Sequence, residues 1–169
     1  LTLRVANRSD ASSIAAISIE VWVGTYLKHG VSGFFADYAL AEFTPSRFAD
    51  LINDPEEFIL VSENAQGIDG FIRVSPLCNA PVAGWSGMEI STFYVQPRHH
   101  GRGIGTRLLA AALAHCRKQR ADTVWLTTNA ENDPAIAFYL ANGFEHIGET
   151  QFRIADQGYL NNVYALRLT

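Results

Sequence analysis

Three glycines at alternate positions, set where a strand gives way to a helix, constrain this chain more than any other feature. The stretch reads Phe93-Tyr94-Val95-Gln96-Pro97-Arg98-His99-His100-Gly101-Arg102-Gly103-Ile104-Gly105-Thr106. Before it, residues 88–95 alternate in a way that predicts a strand. After it, Ile104, Leu108, Leu109, Ala112 and Leu113 recur on one face and predict a helix over 101–117. Such a turn presents main-chain N–H groups at a helix N-terminus, where the macrodipole adds about half a positive charge, so the place favours phosphate. Glycine leaves the backbone open to close approach because it carries no Cβ. Arg98, Arg102 and Arg107 stand nearby as further positive charge. The register excludes two familiar phosphate turns. The Lys-Ser/Thr ending of a nucleoside triphosphate loop is missing, and Thr106 stands where a dinucleotide turn needs its third glycine.

A second element follows the next predicted strand, 123–128. It reads Asn132-Asp133-Pro134-Ala135-Ile136-Ala137-Phe138-Tyr139-Leu140-Ala141-Asn142-Gly143-Phe144. Asn132 or Asp133 can cap a helix, Pro134 suits its first turn, and Gly143 stops it. Asn132 and Tyr139 lie close to two turns apart and share a face.

The remaining chain reads as mixed α and β. A short strand ends at Arg4-Val5-Ala6. Ser9 or Asp10 caps a first helix carrying Ile14, Ile17 and Val21, which Gly24 is expected to interrupt. Helix and loop fill 26–51. Strands 58–61 and 68–74 make a hairpin across Glu63-Asn64-Ala65-Gln66-Gly67, and 76–87 reads as a loop. Residues 144–147 and 162–168 read as closing strands. The order predicts an α/β fold with a mixed, mostly antiparallel central sheet flanked by helices, as a single domain over 1–169.

Charge and composition exclude some functions. A net charge of −4 lacks the basic surface of a general nucleic-acid binder. No apolar run approaches the ~18 residues of a membrane span, and the first residues do not resemble a secretory signal. Cys78 and Cys116 are too few for a disulfide framework and lack zinc spacing, and the five histidines show no metal-ligand pattern. The expectation is a cytoplasmic protein with free thiols and no metal.

Together the two glycine-bearing elements resemble the GNAT superfamily of acetyl-CoA-dependent N-acetyltransferases. The family's turn reads Arg/Gln-x-x-Gly-x-Gly/Ala, matched here by His100-Gly101-Arg102-Gly103-Ile104-Gly105. Its second element reads Asn-x-x-Ala-x-x-Phe-Tyr-x-x-x-Gly-Phe, matched by Asn132, Ala135, Phe138, Tyr139, Gly143 and Phe144. The resemblance implies the GNAT-like acyl-CoA N-acyltransferase fold, with acetyl-CoA as co-substrate. It implies that the backbone of Phe93 and Val95 pairs with the pantetheine arm and that the turn from His100 to Thr106 holds the diphosphate. It also implies that Asn132 reaches the pantetheine and that the Tyr139 hydroxyl points at the sulfur. His100 departs from the family's Arg or Gln. Main-chain binding is expected to survive, with affinity made pH-sensitive because imidazole titrates near pH ~6.5.

The implied reaction sets two proton tasks. An ammonium must lose a proton before nitrogen attacks, and a departing thiolate must gain one. Tyr139 is the candidate acid. Glu89 is the candidate base, on the strand leading into the turn, where alternation groups it with Ser91, Phe93 and Val95. Glu20 on the first helix is the second candidate. The acceptor is expected to be a small-molecule amine. Trp22, Tyr26, Phe34, Phe35 and Tyr38, with Glu20 and Asp37, form a possible wall for a polycation. A loose similarity to bacterial spermidine/spermine acetyltransferases points the same way. Peptide N-termini or lysines remain open as acceptors, as does a non-catalytic acetyl-CoA sensor. Dimers are common in the family.

Overall fold

The computed structural model describes residues 2–168. The strands are β1 (Thr2–Val5), β2 (Phe58–Asn64), β3 (Gly67–Asn79), β4 (Ser86–Val95), β5 (Thr123–Asn129), β6 (Glu145–Ile154) and β7 (Gln157–Arg167). The helices are α1 (Ala11–Tyr26), α2 (Gly33–Glu42), α3 (Pro45–Asn53), α4 (Ile104–Lys118) and α5 (Asp133–Ala141). The strands form one sheet in the order β1-β2-β3-β4-β5-β7-β6. The pairs β1–β2, β2–β3, β5–β7 and β6–β7 are antiparallel, and β4–β5 is parallel. This is the mixed, mostly antiparallel sheet with helices expected from the element order. No described helix is long and apolar enough to cross a membrane.

The chain folds as two compact units. One runs to Val74 and resumes over Thr92–Ala112; the other takes Ser75–Ser91 and the chain from Leu113 onward. In the first unit Ile14, Ala15 and Ile17 of α1 and Phe48 of α3 pack on Ile59, Val61 and Phe71 of the hairpin β2–β3. The helical spacing of 14 and 17 meets the two-residue spacing of 59 and 61, so a helix stripe covers a sheet face. Each buried isoleucine, valine or phenylalanine in this set contributes about 1.5–3 kcal/mol relative to exposure. In the second unit Trp125, Val163, Ala165 and Ala80 form a separate cluster, with Val82, Trp85 and Ile147 against it. Trp125 Nε1–H donates to the carbonyls of Gly87 (3.2 Å) and Cys78 (3.3 Å), which satisfies its polar atom where it is buried. Gly87 has no room for a side chain, since a Cβ there would overlap the Thr123 carbonyl oxygen.

Local readings hold and fail for identifiable reasons. Gly24 does not interrupt α1, which continues to Tyr26. It is exposed near the helix end, where its lower helix propensity, about 1 kcal/mol, is outweighed by the packing of the preceding turns. Neither Ser9 nor Asp10 caps α1 through its side chain. Asn7 caps a 3-10 turn over Arg8–Asp10 that leads into α1. β3 continues through Ser75 to Asn79, into the stretch read as loop, and leaves only a short turn before β4. β6 and β7 form one long hairpin, reaching well beyond the two short closing strands expected.

Asp10 is committed to a clamp. Arg4 Nη1 and Nη2 donate to Asp10 Oδ2 and Oδ1 at 2.7 and 2.9 Å, while Nε and Nη2 donate to Glu63 at 3.0 and 3.1 Å. The Asn7 N–H also donates to Asp10, at 2.8 Å. The Arg4 guanidinium holds the Asp10 carboxyl below the usual carboxylate range, against the opposing effect of burial. A depressed folded-state pKa stabilises at pH values above the unfolded value near ~3.9, and that contribution disappears as pH falls through the lower folded value. Arg4→Met should therefore cost about 1–3 kcal/mol at pH 6, with the difference from the parent shrinking below pH ~4. Urea unfolding at both pH values checks it; a difference that does not shrink in acid rules out the ionic origin.

Candidate active site

The glycine turn is built as its sequence demands. The Gln96 N–H donates to the Asp69 carbonyl at 2.9 Å, tying the end of β4 to β3. Pro97–His99 then makes one 3-10 turn. Gly101 and Gly103 follow with φ of +82° and +80°, the left-handed region that side chains rarely adopt. Nothing lies within 4 Å of a Cβ at either position, so the demand is conformational and not steric. The helix ladder begins with Arg107 N–H to the Gly103 carbonyl at 3.0 Å. The N–H groups from Gly101 through Thr106 have no acceptor among the described residues. They are the orphan donors of a helix start, extended backward by the left-handed glycines. α4 thus starts at Ile104, three residues later than the apolar pattern predicts; Gly101 and Gly103 belong to the turn and Gly105 to the helix.

Neighbouring side chains hold this turn from several directions. His100 Nε2 lies 3.0 Å from the Val95 carbonyl oxygen. Arg102 Nη1 lies 3.3 Å from His99 Nδ1. Gln96 Nε2–H donates to Glu20 of α1 at 2.9 Å, so the second candidate base is tied to the residue that follows β4. Tyr94 and Val95 point to opposite faces. The Tyr94 ring meets Phe71 edge-on at 5.8 Å, and Val95 Cγ2 would lie 3.3 Å from a Cβ at Gly70.

In the second unit, α5 is framed by both of its ends. The Asn132 side chain accepts from the Ala135 N–H at 3.4 Å, and Pro134 occupies the first turn, where its missing N–H costs nothing. At the other end the Gly143 N–H bonds the Leu140 carbonyl and the Phe144 N–H bonds the Tyr139 carbonyl, both at 3.1 Å, with Gly143 at φ +88°. This is a Schellman closure, which brings the residue after the glycine back onto the last turn. Phe144 consequently packs on Tyr139, with ring centroids 5.7 Å apart. Tyr164 of β7 lies 6.3 Å from the same ring. Tyr139 is 8% exposed, and burial pushes its hydroxyl well above the ordinary tyrosine range. It is a protonated group throughout the range in which enzymes work. The spacing of Asn132, Tyr139, Gly143 and Phe144 is therefore the spacing of a cap, a buried ring, a left-handed stop and the ring's cover.

Glu89 is half-buried on β4, registered opposite Trp125 of β5. Ser91, two residues further, shares a hydrogen bond with Ser75 of β3 at 2.5 Å. Alternation places Ser91 with Glu89, but only strand pairing brings Ser75 to it, and no sequence signal marked that hydroxyl. Cys116 is buried, which lifts its thiol to about 11, and Cys78 is exposed; neither forms a disulfide. Trp22 lies at the centre of the aromatic group, with ring centroids 4.6 Å from Tyr26, 5.2 Å from Tyr38 and 5.8 Å from Phe35. Trp22 itself is buried, whereas Tyr26, Phe35 and Tyr38 are half-buried and Phe34 and Asp37 are exposed. Among the described residues no group of three or more His, Cys, Asp or Glu side chains is arranged to hold a metal ion.

The family model described as the acetyltransferase (GNAT) family matches residues 26–144, which takes in both glycine-bearing elements. The chain belongs to the GNAT family. Among curated GNAT relatives, an uncharacterized N-acetyltransferase of Mycobacterium tuberculosis is 27% identical over 146 residues, 86% of this chain and 90% of that protein. N-alpha-acetyltransferase RimI of the same organism is 26% identical over 148 residues, 88% of this chain and 80% of that protein. The PaiA N-acetyltransferase from Thermoplasma acidophilum, solved in complex with coenzyme A, is 16% identical. It superposes with a TM-score of 0.75 over 96% of this chain and 98% of that one, a likeness of fold. This GNAT chain is an acetyl-CoA-dependent N-acetyltransferase.

Proposed function

We propose that the protein transfers the acetyl group of acetyl-CoA directly to the primary amine of a small cationic acceptor, with no acyl-enzyme. The observation that carries this reading is the set of N–H groups from Gly101 through Thr106 with no acceptor among the described residues, beside Arg102 and at a helix start. They suit the diphosphate of coenzyme A. The main chain of Phe93 and Val95 pairs with the pantetheine arm, and the Asn132 amide reaches it. The amine nitrogen attacks the thioester carbonyl, the C–N bond forms, and the C–S bond breaks. An alkylammonium has a pKa of ~10.4, so neutralising it at pH 7 costs about 4–5 kcal/mol. Glu89 takes that proton through water. The departing thiolate, with a parent pKa near ~8.5, takes the Tyr139 proton. The buried Cys116 thiol, lifted to about 11, suits no nucleophilic step.

The half-buried rings of Tyr26, Phe35 and Tyr38, with Glu20 and Asp37, support a cationic acceptor. A second reading, acetylation of a peptide α-amine, is favoured by the relative RimI. Thiol release from acetyl-CoA, measured across polyamines, amino acids, aminoglycosides and peptides with free N-termini, separates the two. Release with polyamines is expected; release with peptides alone transfers the assignment to the second reading. Gly103→Val is the control for the turn. A β-branched residue at φ +80° is strained by about 1–2 kcal/mol or more. Acetyl-CoA affinity should fall about tenfold or more, with the melting temperature lowered by only a few degrees. Failure of the unaltered protein to bind coenzyme A in calorimetry at millimolar concentration would reject the proposal.

A further inference from the structure

Two hydroxyls share the sheet face of Glu89. Ser91 Oγ of β4 and Ser75 Oγ of β3 lie 2.5 Å apart, and either can donate to the other. Both residues are half-buried, as Glu89 is, and all three belong to the same compact unit. A serine hydroxyl carries one hydrogen and two lone pairs. The Ser91 hydroxyl has no partner besides Ser75 among the described residues, so two of its three bonding sites stay open to a ligand. Strand pairing puts those open sites where a ligand can reach them. β4 and β5 pair at Met88 with Val124 and at Glu89 with Trp125. β5 then runs on to Asn129, bonded to β7 along its other edge. Glu89 thus stands on the last rung of the β4–β5 ladder. Ser91 comes just past it, where no β4–β5 rung forms among the described residues. Side chains two residues apart on one strand face start about 7 Å from each other. One water, bonded at each end, bridges such a gap.

We propose that Ser91 receives the proton of the substrate ammonium and relays it through the bridging water to Glu89, and that Ser75 aims the Ser91 hydroxyl for this step. The inference rests on the reading of Glu89 as the base. The ammonium N–H donates to one lone pair of Ser91, and the Ser75 O–H donates to the other. The Ser91 hydrogen then has one direction left, toward the water on Glu89. As nitrogen attacks the thioester, its N–H bond breaks and an O–H bond forms at Ser91. The hydrogen Ser91 held passes to the water, and one from the water passes to the Glu89 carboxylate. One proton leaves nitrogen and one arrives on Glu89, while serine and water are regenerated. Without Ser75 the hydroxyl of Ser91 turns among several directions, and the relay is aligned for only part of the time.

Steady-state thiol release from acetyl-CoA, with spermidine as acceptor at neutral pH, tests this in single and double variants. Ser91→Ala should lower kcat and kcat/KM for spermidine alike, about tenfold or more, with acetyl-CoA affinity kept within about twofold. Ser91→Thr retains a hydroxyl at a strand position that suits a β-branched residue, and should stay within about threefold of the parent. Ser75→Ala should lower turnover about threefold or more. Coupling separates a relay from packing, because groups that act in series do not lose independently. Ser91→Ala should add almost nothing in a Glu89→Gln background, and Ser75→Ala almost nothing in a Ser91→Ala background. Independent losses in the double variants, or unchanged turnover in Ser91→Ala, overturn the inference and leave Glu89 as the base. Unchanged turnover in Glu89→Gln overturns the base and the relay together. Absence of turnover of spermidine by the parent overturns the relay along with the cationic acceptor to which it is assigned.

Discussion

Tyr139→Phe will lower turnover about a hundredfold or more at neutral pH while leaving acetyl-CoA affinity within about twofold. The change removes one oxygen and keeps the ring that packs on Phe144 and lies near Tyr164, so the Schellman closure of α5 and its cover remain. What is lost, on the proposed mechanism, is a proton donor for the departing sulfur. Because burial holds the hydroxyl above its ordinary range, the donor is loaded at every pH at which the assay runs. The loss should therefore be nearly constant from pH 6 to 9, and it should fall on kcat and kcat/KM alike, as for an interaction made in the transition state. Steady-state kinetics with calorimetric measurement of acetyl-CoA binding reads both parts. Unchanged turnover removes Tyr139 from the chemistry, and weakened binding reassigns it to holding the ligand.

Glu89→Gln should behave differently. At pH 7 only a small fraction of an alkylamine of pKa ~10.4 is neutral, and that fraction grows tenfold per pH unit. Without the carboxylate the enzyme must wait for amine already neutral in solution. Turnover at pH 7 should fall about a hundredfold or more, and the deficit should shrink as pH rises toward 10. Glu89 is also registered with Trp125 across β4 and β5, so a purely structural role is the rival account. That account expects an equal loss at every pH, together with a lower melting temperature. Measuring pH–rate profiles of both proteins, with their unfolding midpoints, separates the two.

What is legible in the sequence follows the range of the interactions involved. Asn132, Pro134 and Gly143 control α5 through bonds spanning three to five residues, so their pattern predicted the helix with its start and stop. Gly101 and Gly103 were legible for a related reason: a left-handed φ is a property of the residue itself. Errors arose where distant chain decides. Gly24 is a weak helix former that α1 nevertheless includes, because α1 is held by its packing on α3 and the β2–β3 hairpin. The long β6–β7 hairpin was missed over 148–161, where the residues lack a clean alternation and each strand is completed by its neighbour's hydrogen bonds. The Ser75–Ser91 contact likewise needs two strands to meet.

By itself the sequence determined the backbone of the glycine turn, both ends of α5 and, through their joint spacing, the family. These follow from torsional sterics and from caps that close within a turn, neither of which needs the rest of the molecule. The tertiary structure alone decided how deeply Tyr139 is buried, and hence how firmly its proton is held. It alone decided which nitrogen of His100 faces a carbonyl and which residue holds Glu20. Desolvation and hydrogen-bond partnership depend on what the distant chain brings alongside, and no local pattern encodes that.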